Sequence, residues 1–289
     1  MKIVKAKNGI KYYCHDKFDY IALCIKKSGD YETEIKEIAK IYLSGKIGTV
    51  VDIGSNIGTF CIPLAKIFIN HDFKSFEILN HVYKIHLKNN RLNNTRNIKL
   101  INLGISNIKS SFLEKVPNYE ISRNIGGFSI DKRIQREQQT KYMPNNIEKL
   151  YLNRLDNLNI KNLVLIKIDT EGHELQVLQG AKMTIKKFKP LIIFETNNKS
   201  YYFKKNYETK NFLFKLGYKI QTLNENSIAY YNDNLPVNDI IKNYIYLYKN
   251  FNNLEKKSYL IKYHFVQIKL LFIRLFFNKL NKLLGYKFK

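Results

Sequence analysis

Four titratable side chains crowd into six residues of this chain. Asp169, Glu171, His173 and Glu174 follow the apolar run Leu163-Val164-Leu165-Ile166-Lys167-Ile168. A strand of that composition delivers them together at its C-terminal end, and in an open parallel sheet that end is where ligands bind. Such a density of ionisable groups is costly as mere scaffolding and points to proton transfer or charge stabilisation. A solvated strand end is the plainer alternative. Asp169, Glu171 and His173 are the candidate catalytic residues, and His173 alone has an ordinary pKa near neutrality. The plainer reading of His173 is a helix-start residue that points to solvent, and it is slightly preferred. Glu171 fits equally a helix N-terminus, where the dipole favours a carboxylate.

A second constellation, Val50-Val51-Asp52-Ile53-Gly54-Ser55-Asn56-Ile57-Gly58-Thr59-Phe60, runs from an apolar strand through a glycine turn into a helix. That layout brings a ligand against backbone N–H groups. The glycine spacing is GxxxG, not the GxGxxG that lets a dinucleotide diphosphate lie on bare backbone. A ligand with no phosphate and a positive charge suits it better. S-adenosylmethionine is such a ligand, with an amino-acid tail, a sulfonium and an adenosine. Its site calls for acids: Asp52 is expected near the tail. Glu77, 25 residues later in Phe73–Ile78, is expected at the ribose hydroxyls. A plain strand–helix turn and a nucleotide site of another kind compete on these residues alone.

The elements that would hold these groups alternate between strand and helix. Strands are expected at Gly48–Ile53, Phe73–Glu77, Ile98–Ile105, Leu163–Asp169 and Leu191–Glu195. Helices are expected through Phe60–Ile67, Tyr83–Leu92, Leu175–Ile185 and Phe203–Leu216. Gly217–Leu223 and Ser227–Tyr231 can close as an antiparallel pair. The pattern predicts an α/β fold whose mostly parallel sheet is covered by helices on both faces. Before it, residues 1–46 form a small prelude: extended pieces at Ile3–Val4 and Lys11–Cys14, then Tyr20–Ile25, then a helical face of Ile35, Ile38, Ile41 and Tyr42. The polar segment Pro117–Asn146, with Gly126–Gly127, is too long for an idle loop and is expected to be a lid or substrate loop. Residues 47–234 are the main domain.

The chain has 289 residues, 49 Lys+Arg and 24 Asp+Glu, a net charge of +25. Attraction to polyanions is one reading. Compositional drift is preferred, because the lysines are scattered and accompany abundant Asn, Ile and Tyr with no Trp. Three cysteines (Cys14, Cys24 and Cys61) have no metal-ligand spacing and fit a reducing compartment. No signal peptide and no spanning helix is expected, and the location inferred is cytoplasmic, with a membrane-peripheral placement left open. No His/Cys cluster argues for a metal.

The two constellations together resemble the FkbM family of S-adenosylmethionine-dependent methyltransferases. The likeness rests on Lys167-Ile168-Asp169-Thr170-Glu171-Gly172-His173-Glu174, then Leu178-Gln179-Gly180-Ala181, Pro190 and Glu195. Leu155-Asp156-Asn157-Leu158, Leu216-Gly217-Tyr218 and Gly126-Gly127-Phe128-Ser129 add to it, and it spans roughly Gly48 to Tyr231. It implies a class I methyltransferase fold, Rossmann-like, with a seven-stranded sheet. It implies O-methylation of a hydroxyl on a sugar, glycan or similar small molecule. It also implies donor contacts at Asp52, Gly54, Ser55, Asn56, Gly58 and Glu77. Where the family places a proline after the strand-two acid, Ile78 stands here.

Two rival functions stay open. An RNA 2′-O-methyltransferase is compatible with the charge, but no aromatic-basic RNA motif appears, so nucleic acid is the less favoured partner. A non-catalytic scaffold on the same fold is the other. No Asn-Pro-Pro-Tyr-like sequence follows Asp169, which disfavours methylation of nitrogen. Residues 235–289 form a basic, apolar tail, expected to be helical, with eleven Lys/Arg against two Asp/Glu. From Leu254 its lysines do not gather on one face, so membrane contact, protein contact and intramolecular packing all stay open.

Overall fold

The computed structural model describes residues 2–15, 19–119, 125–138, 142–231 and 241–246, with residues 143–145 followed along the backbone only. The chain opens with an antiparallel pair, β1 (Lys2–Lys5) and β2 (Lys11–Cys14). Tyr20–Ile25 lies within a helix, α1 (Tyr20–Ser28), because Asp19 accepts from Ala22 N and Gly29, at φ 86°, closes it. In α2 (Thr33–Leu43) the residues Ile35, Ile38, Ile41 and Tyr42 all turn inward and are buried. They join one apolar cluster with Val50, Phe60 and Leu165, so the prelude and the main domain share a core.

Strand and helix then alternate: β3 (Thr49–Ile53), α3 (Cys61–Ile67), β4 (Asp72–Phe76), α4 (Asn80–Leu92) and β5 (Ile98–Ile101). A smaller sheet intervenes, built from β6 (Gly104–Ile105), β7 (Ser110–Pro117) and β8 (Tyr142–Asn153), with α5 (Lys132–Glu137) before β8. The chain returns through β9 (Leu163–Ile168), α6 (Glu174–Gly180), α7 (Lys182–Phe188), β10 (Leu191–Glu195), α8 (Phe203–Lys215), β11 (Tyr218–Leu223) and β12 (Asn226–Tyr231). The large sheet has seven strands in the order β11-β12-β10-β9-β3-β4-β5, and only β12 runs against the rest. One apolar cluster covers each face. The central strands β3 and β9 are buried at every residue, as their near-continuous apolar composition requires.

Three expectations are corrected. The run Ile98–Ile105 is two strands, not one. Asn102 Nδ2 donates to the carbonyls of Glu77 and Ile78, and Gly104–Ile105 leaves to pair with β8. The helix expected through Leu175–Ile185 breaks at Ala181, because Asp156 accepts from Met183 N (3.2 Å) and Thr184 N (2.8 Å) and starts α7 afresh. Pro117–Asn146 is more than a loop. It contains α5, capped by Asp131, and the start of β8, which pairs with β7 as far as Tyr142↔Pro117.

The small sheet is seated on α6. A Cβ on Gly180 would stand 1.8 Å from Ser106 O, so only glycine lets that helix lie against the backbone after β6. Among the described residues no helix is long and apolar enough to cross a membrane. Of the tail, residues 241–246 are helical with Ile241 and Ile245 buried. The segment 254–289, with the membrane or partner contact considered for it, lies outside the described residues.

Candidate active site

The glycine turn after β3 is clamped between two strands. Gly54 N and Ser55 N both donate to Phe76 O at 3.0 Å. Gly54 has φ 74°, and a Cβ there would stand 1.8 Å from Asp169 O. Only glycine therefore lets the turn touch the end of β9. Asn56, also left-handed at φ 49°, donates its N–H to Glu77 Oε2 at 2.9 Å, and Leu79 N donates to Glu77 Oε1 at 2.9 Å. Glu77 thus ties the turn after β3 to the turn after β4. Burial pushes its pKa up to about 7, against those two hydrogen bonds.

Ser55 and Gly58 face away from this turn's outer side, onto His86. Ser55 Oγ lies 3.1 Å from His86 Nδ1, Cys61 Sγ lies 3.4 Å from its Nε2, and a Cβ on Gly58 would come within 2.6 Å of the same nitrogen. His86 is fully buried, and burial pushes its pKa down to about 3, so the ring is neutral.

A cavity partly open to solvent lies over the C-terminal ends of β3 and β4. Phe76, Leu79, Val82, Ile125, Phe128 and Ile130 give it apolar walls. Asn56, Glu77, Asp169, Thr170 and His173 are the polar side chains on its lining, and Gly54 and Gly126 belong to it as well. Gly54, Asn56, Glu77, Asp169 and His173 are therefore brought together. Asp52, Ser55, Gly58 and Glu171 do not line it.

Asp52 lies on the buried face of β3, in register with Lys167 of β9 and only 1% exposed. Neither of its oxygens has a hydrogen-bond partner among the described residues. Burial lifts its pKa to about 6, with the Lys167 ammonium working against the rise. Lys167 is the one charged residue of β9. Its Nζ donates to Asp169 Oδ2 at 2.9 Å and stands 4.0 Å from Glu32 Oε2. Burial alone would lower its pKa, but Asp169, Glu32 and Asp52 outweigh it and hold the ammonium charged.

The turn after β9 is organised by Glu174, whose Oε1 accepts from Thr170 N, Thr170 Oγ1 and Gly172 N at 3.0–3.1 Å. Glu171, left-handed at φ 51°, accepts from Tyr202 OH and Gln138 Nε2, each at 3.0 Å. Burial, with the Asp169 charge adding to it, lifts its pKa to about 8. Glu195 comes in from the end of β10, raised well above the carboxylate range by burial and by Glu171 and Asp169. Asp169, Glu171 and Glu195 each bring an oxygen within 4.8 Å of the others, a grouping that could hold a metal ion.

His173 corrects the reading that it points to solvent. It lies on the cavity lining with its Nε2 2.9 Å from Ser106 Oγ, and burial, aided by Lys205, pushes its pKa down to about 4. Sequence reasoning missed Glu32, Tyr202 and Gln138 and gave Lys167 no role. Lys167 could have been found as the lone charge in an apolar strand. Glu32, Gln138 and Tyr202 carry no local signal.

Residues 52–220 match the family model of the methyltransferase FkbM domain. No curated protein matches the chain by sequence. Among solved structures, an FkbM methyltransferase from Methylobacillus flagellatus is 16% identical over 64% of this chain and 44% of its own, with a TM-score of 0.45. This chain thus spans less than half of that protein's length. A putative O-methyltransferase from Klebsiella pneumoniae is 13% identical over 70% of this chain and 81% of its own, at a TM-score of 0.44. A precorrin-6y C5,15-methyltransferase from Geobacter metallireducens is 10% identical over 68% and 85%, at 0.40.

Proposed function

The chain belongs to the FkbM methyltransferase family, and on that premise we propose that it binds S-adenosylmethionine in the cavity over β3 and β4 and methylates a hydroxyl oxygen of a sugar, glycan or similar small molecule. The observation that carries this reading is the pairing of an apolar cavity with acids at strand ends. Glu77 lies at one side and Asp169 at the other, and the glycine turn runs between them.

These residues suit that ligand. A carboxylate has about four lone-pair sites. Glu77 uses one on each oxygen for Asn56 and Leu79, and keeps the others for the two ribose hydroxyls. Gly54 leaves the backbone bare beside the donor, and the apolar walls suit an adenine ring. The donor supplies a methyl group on a cationic sulfur. Transfer demands that the acceptor oxygen be held close and in line, so positioning contributes much of the rate. A sugar hydroxyl is a weak nucleophile at neutral pH and needs a base for its proton.

Asp169 is the best-placed base of the three candidates. It borders the cavity, and among the described residues it is bonded only by Lys167, through Oδ2. Glu171 is already engaged by Tyr202 and Gln138. His173 has its Nε2 occupied by Ser106. Incubation with labelled S-adenosylmethionine and a panel of glycans, lipid-linked sugars and RNA tests the proposal. Label on a carbohydrate hydroxyl supports it, and label on RNA alone overturns the choice of acceptor.

A further inference from the structure

Asp169 does not stand alone at the cavity's edge. The Lys167 ammonium that bonds it is 5% exposed and lies among three carboxylates, Asp169, Glu32 and Asp52. Lysine is a point charge on a flexible stem with three rotatable donors, so one bond to Asp169 would leave that carboxylate loosely aimed. Phe60 lies under the ammonium, 5.9 Å from ring centre to Nζ. Glu32 flanks it from the prelude, just ahead of the helix that packs against β9.

Glu32 occupies an unusual position. It precedes α2 with φ 50°, a left-handed conformation that costs a non-glycine residue, and its side chain makes no capping bond to the helix. A carboxylate at a helix start would ordinarily satisfy the free N–H groups there. This one is directed to Lys167 instead, with a side chain 18% exposed. Burial lifts its pKa to about 7, and Lys167 opposes the rise.

We propose that Glu32 is a positioning residue for the transfer site, acting through Lys167 to aim the Asp169 carboxylate at the donor cavity. The chain Glu32–Lys167–Asp169 carries orientation from the prelude to the end of β9, and Glu32 touches neither donor nor acceptor. The inference rests on the reading above that Asp169 is the base at the edge of the donor cavity.

The test needs no acceptor. Calorimetry on the full chain compares S-adenosylhomocysteine with sinefungin, whose amine stands where the donor carries its methyl. The ratio of the two affinities reports negative charge aimed at that point. Asp169→Asn is expected to lower the sinefungin preference about tenfold, the scale of one charge-assisted hydrogen bond. Glu32→Gln, isosteric and therefore benign to the fold, is expected to lower it about threefold while S-adenosylhomocysteine affinity stays within about twofold. Lys167→Met should act in the same direction. The double variant Glu32→Gln/Asp169→Asn should fall no further than Asp169→Asn alone, since the effect passes through that carboxylate.

A Glu32→Gln protein with the wild-type ratio, or one that loses both ligands equally, overturns the inference. So does a further drop in the Asp169→Asn background. If Asp169→Asn itself leaves the ratio unchanged, the placement of Asp169 has failed, and the role of Glu32 fails with it.

Discussion

Gly126 presses on Asn56 so closely that a Cβ built on it would stand 1.9 Å from Asn56 Nδ2. The two residues are neighbours on the cavity lining, one from the segment before α5 and one from the turn after β3. Any side chain at 126 must push aside the Asn56 side-chain amide, while the Asn56 backbone N–H stays with Glu77. Gly126→Ala is therefore expected to turn that amide into the cavity and weaken S-adenosylmethionine binding by about threefold, a fraction of one hydrogen bond. Calorimetry beside a thermal melt checks this. Unchanged affinity would show that the segment carrying Gly126 does not shape the donor site.

Donor affinity should depend on pH through Glu77. Burial raises its pKa to about 7, so it is protonated below that pH and ionised above it. A neutral acid offers a cationic ligand no charge and fewer acceptor sites. Binding should tighten as pH rises from 6 towards 7, by up to about tenfold per unit, and level off beyond. Glu77→Gln should bind weakly with a flat profile over the same range. A wild-type profile that is itself flat would remove Glu77 from the donor contacts.

Folding should be acid-sensitive through His86. Its folded pKa is lowered from 6.5 to about 3, so the unfolded chain takes up a proton that the folded one refuses. Its contribution to stability is complete above pH 6.5 and is lost as pH falls below that value. The loss is about 1.4 kcal/mol per unit. Urea melts of wild type and His86→Asn at pH 7, 6 and 5 isolate this term, since the other titrating groups are common to both. The stability gap between the two proteins should narrow at each step down. A constant gap would mean that His86 takes up its proton as readily in the fold as in the unfolded chain.

Asp169→Asn should leave donor affinity within a few-fold of wild type while lowering turnover by roughly 100-fold or more, the scale of a lost general base. Single-turnover methyl transfer, measured with whichever glycan accepts label, reads this directly. Wild-type turnover would leave the proton to another group.

Much of this arrangement is legible in the sequence, and the exceptions have physical causes. Val50–Ile53 and Leu163–Ile168 declare themselves because central parallel strands are apolar on both faces. The acids at their ends are legible by position alone. The small sheet is not: β8 begins in a polar stretch, and the alternation of its exposed and more buried residues can be followed from Ile147. The break at Ala181 depends on Asp156, some 25 residues upstream, which no local pattern can reveal. Glu32 is hidden for the same reason. Its partner Lys167 is distant in sequence and meets it only once α2 has packed against β9.

Ser106 grips α6 at both ends. Its carbonyl lies where Gly180 leaves room, and its hydroxyl meets His173 just ahead of the helix's first residue. The three-stranded sheet and that helix consequently behave as one cassette. A chimaera that exchanged the small sheet with a relative's would need to carry residues from β6 through α6 as a single graft. A junction placed inside that span would part the sheet from the helix shaped to seat it.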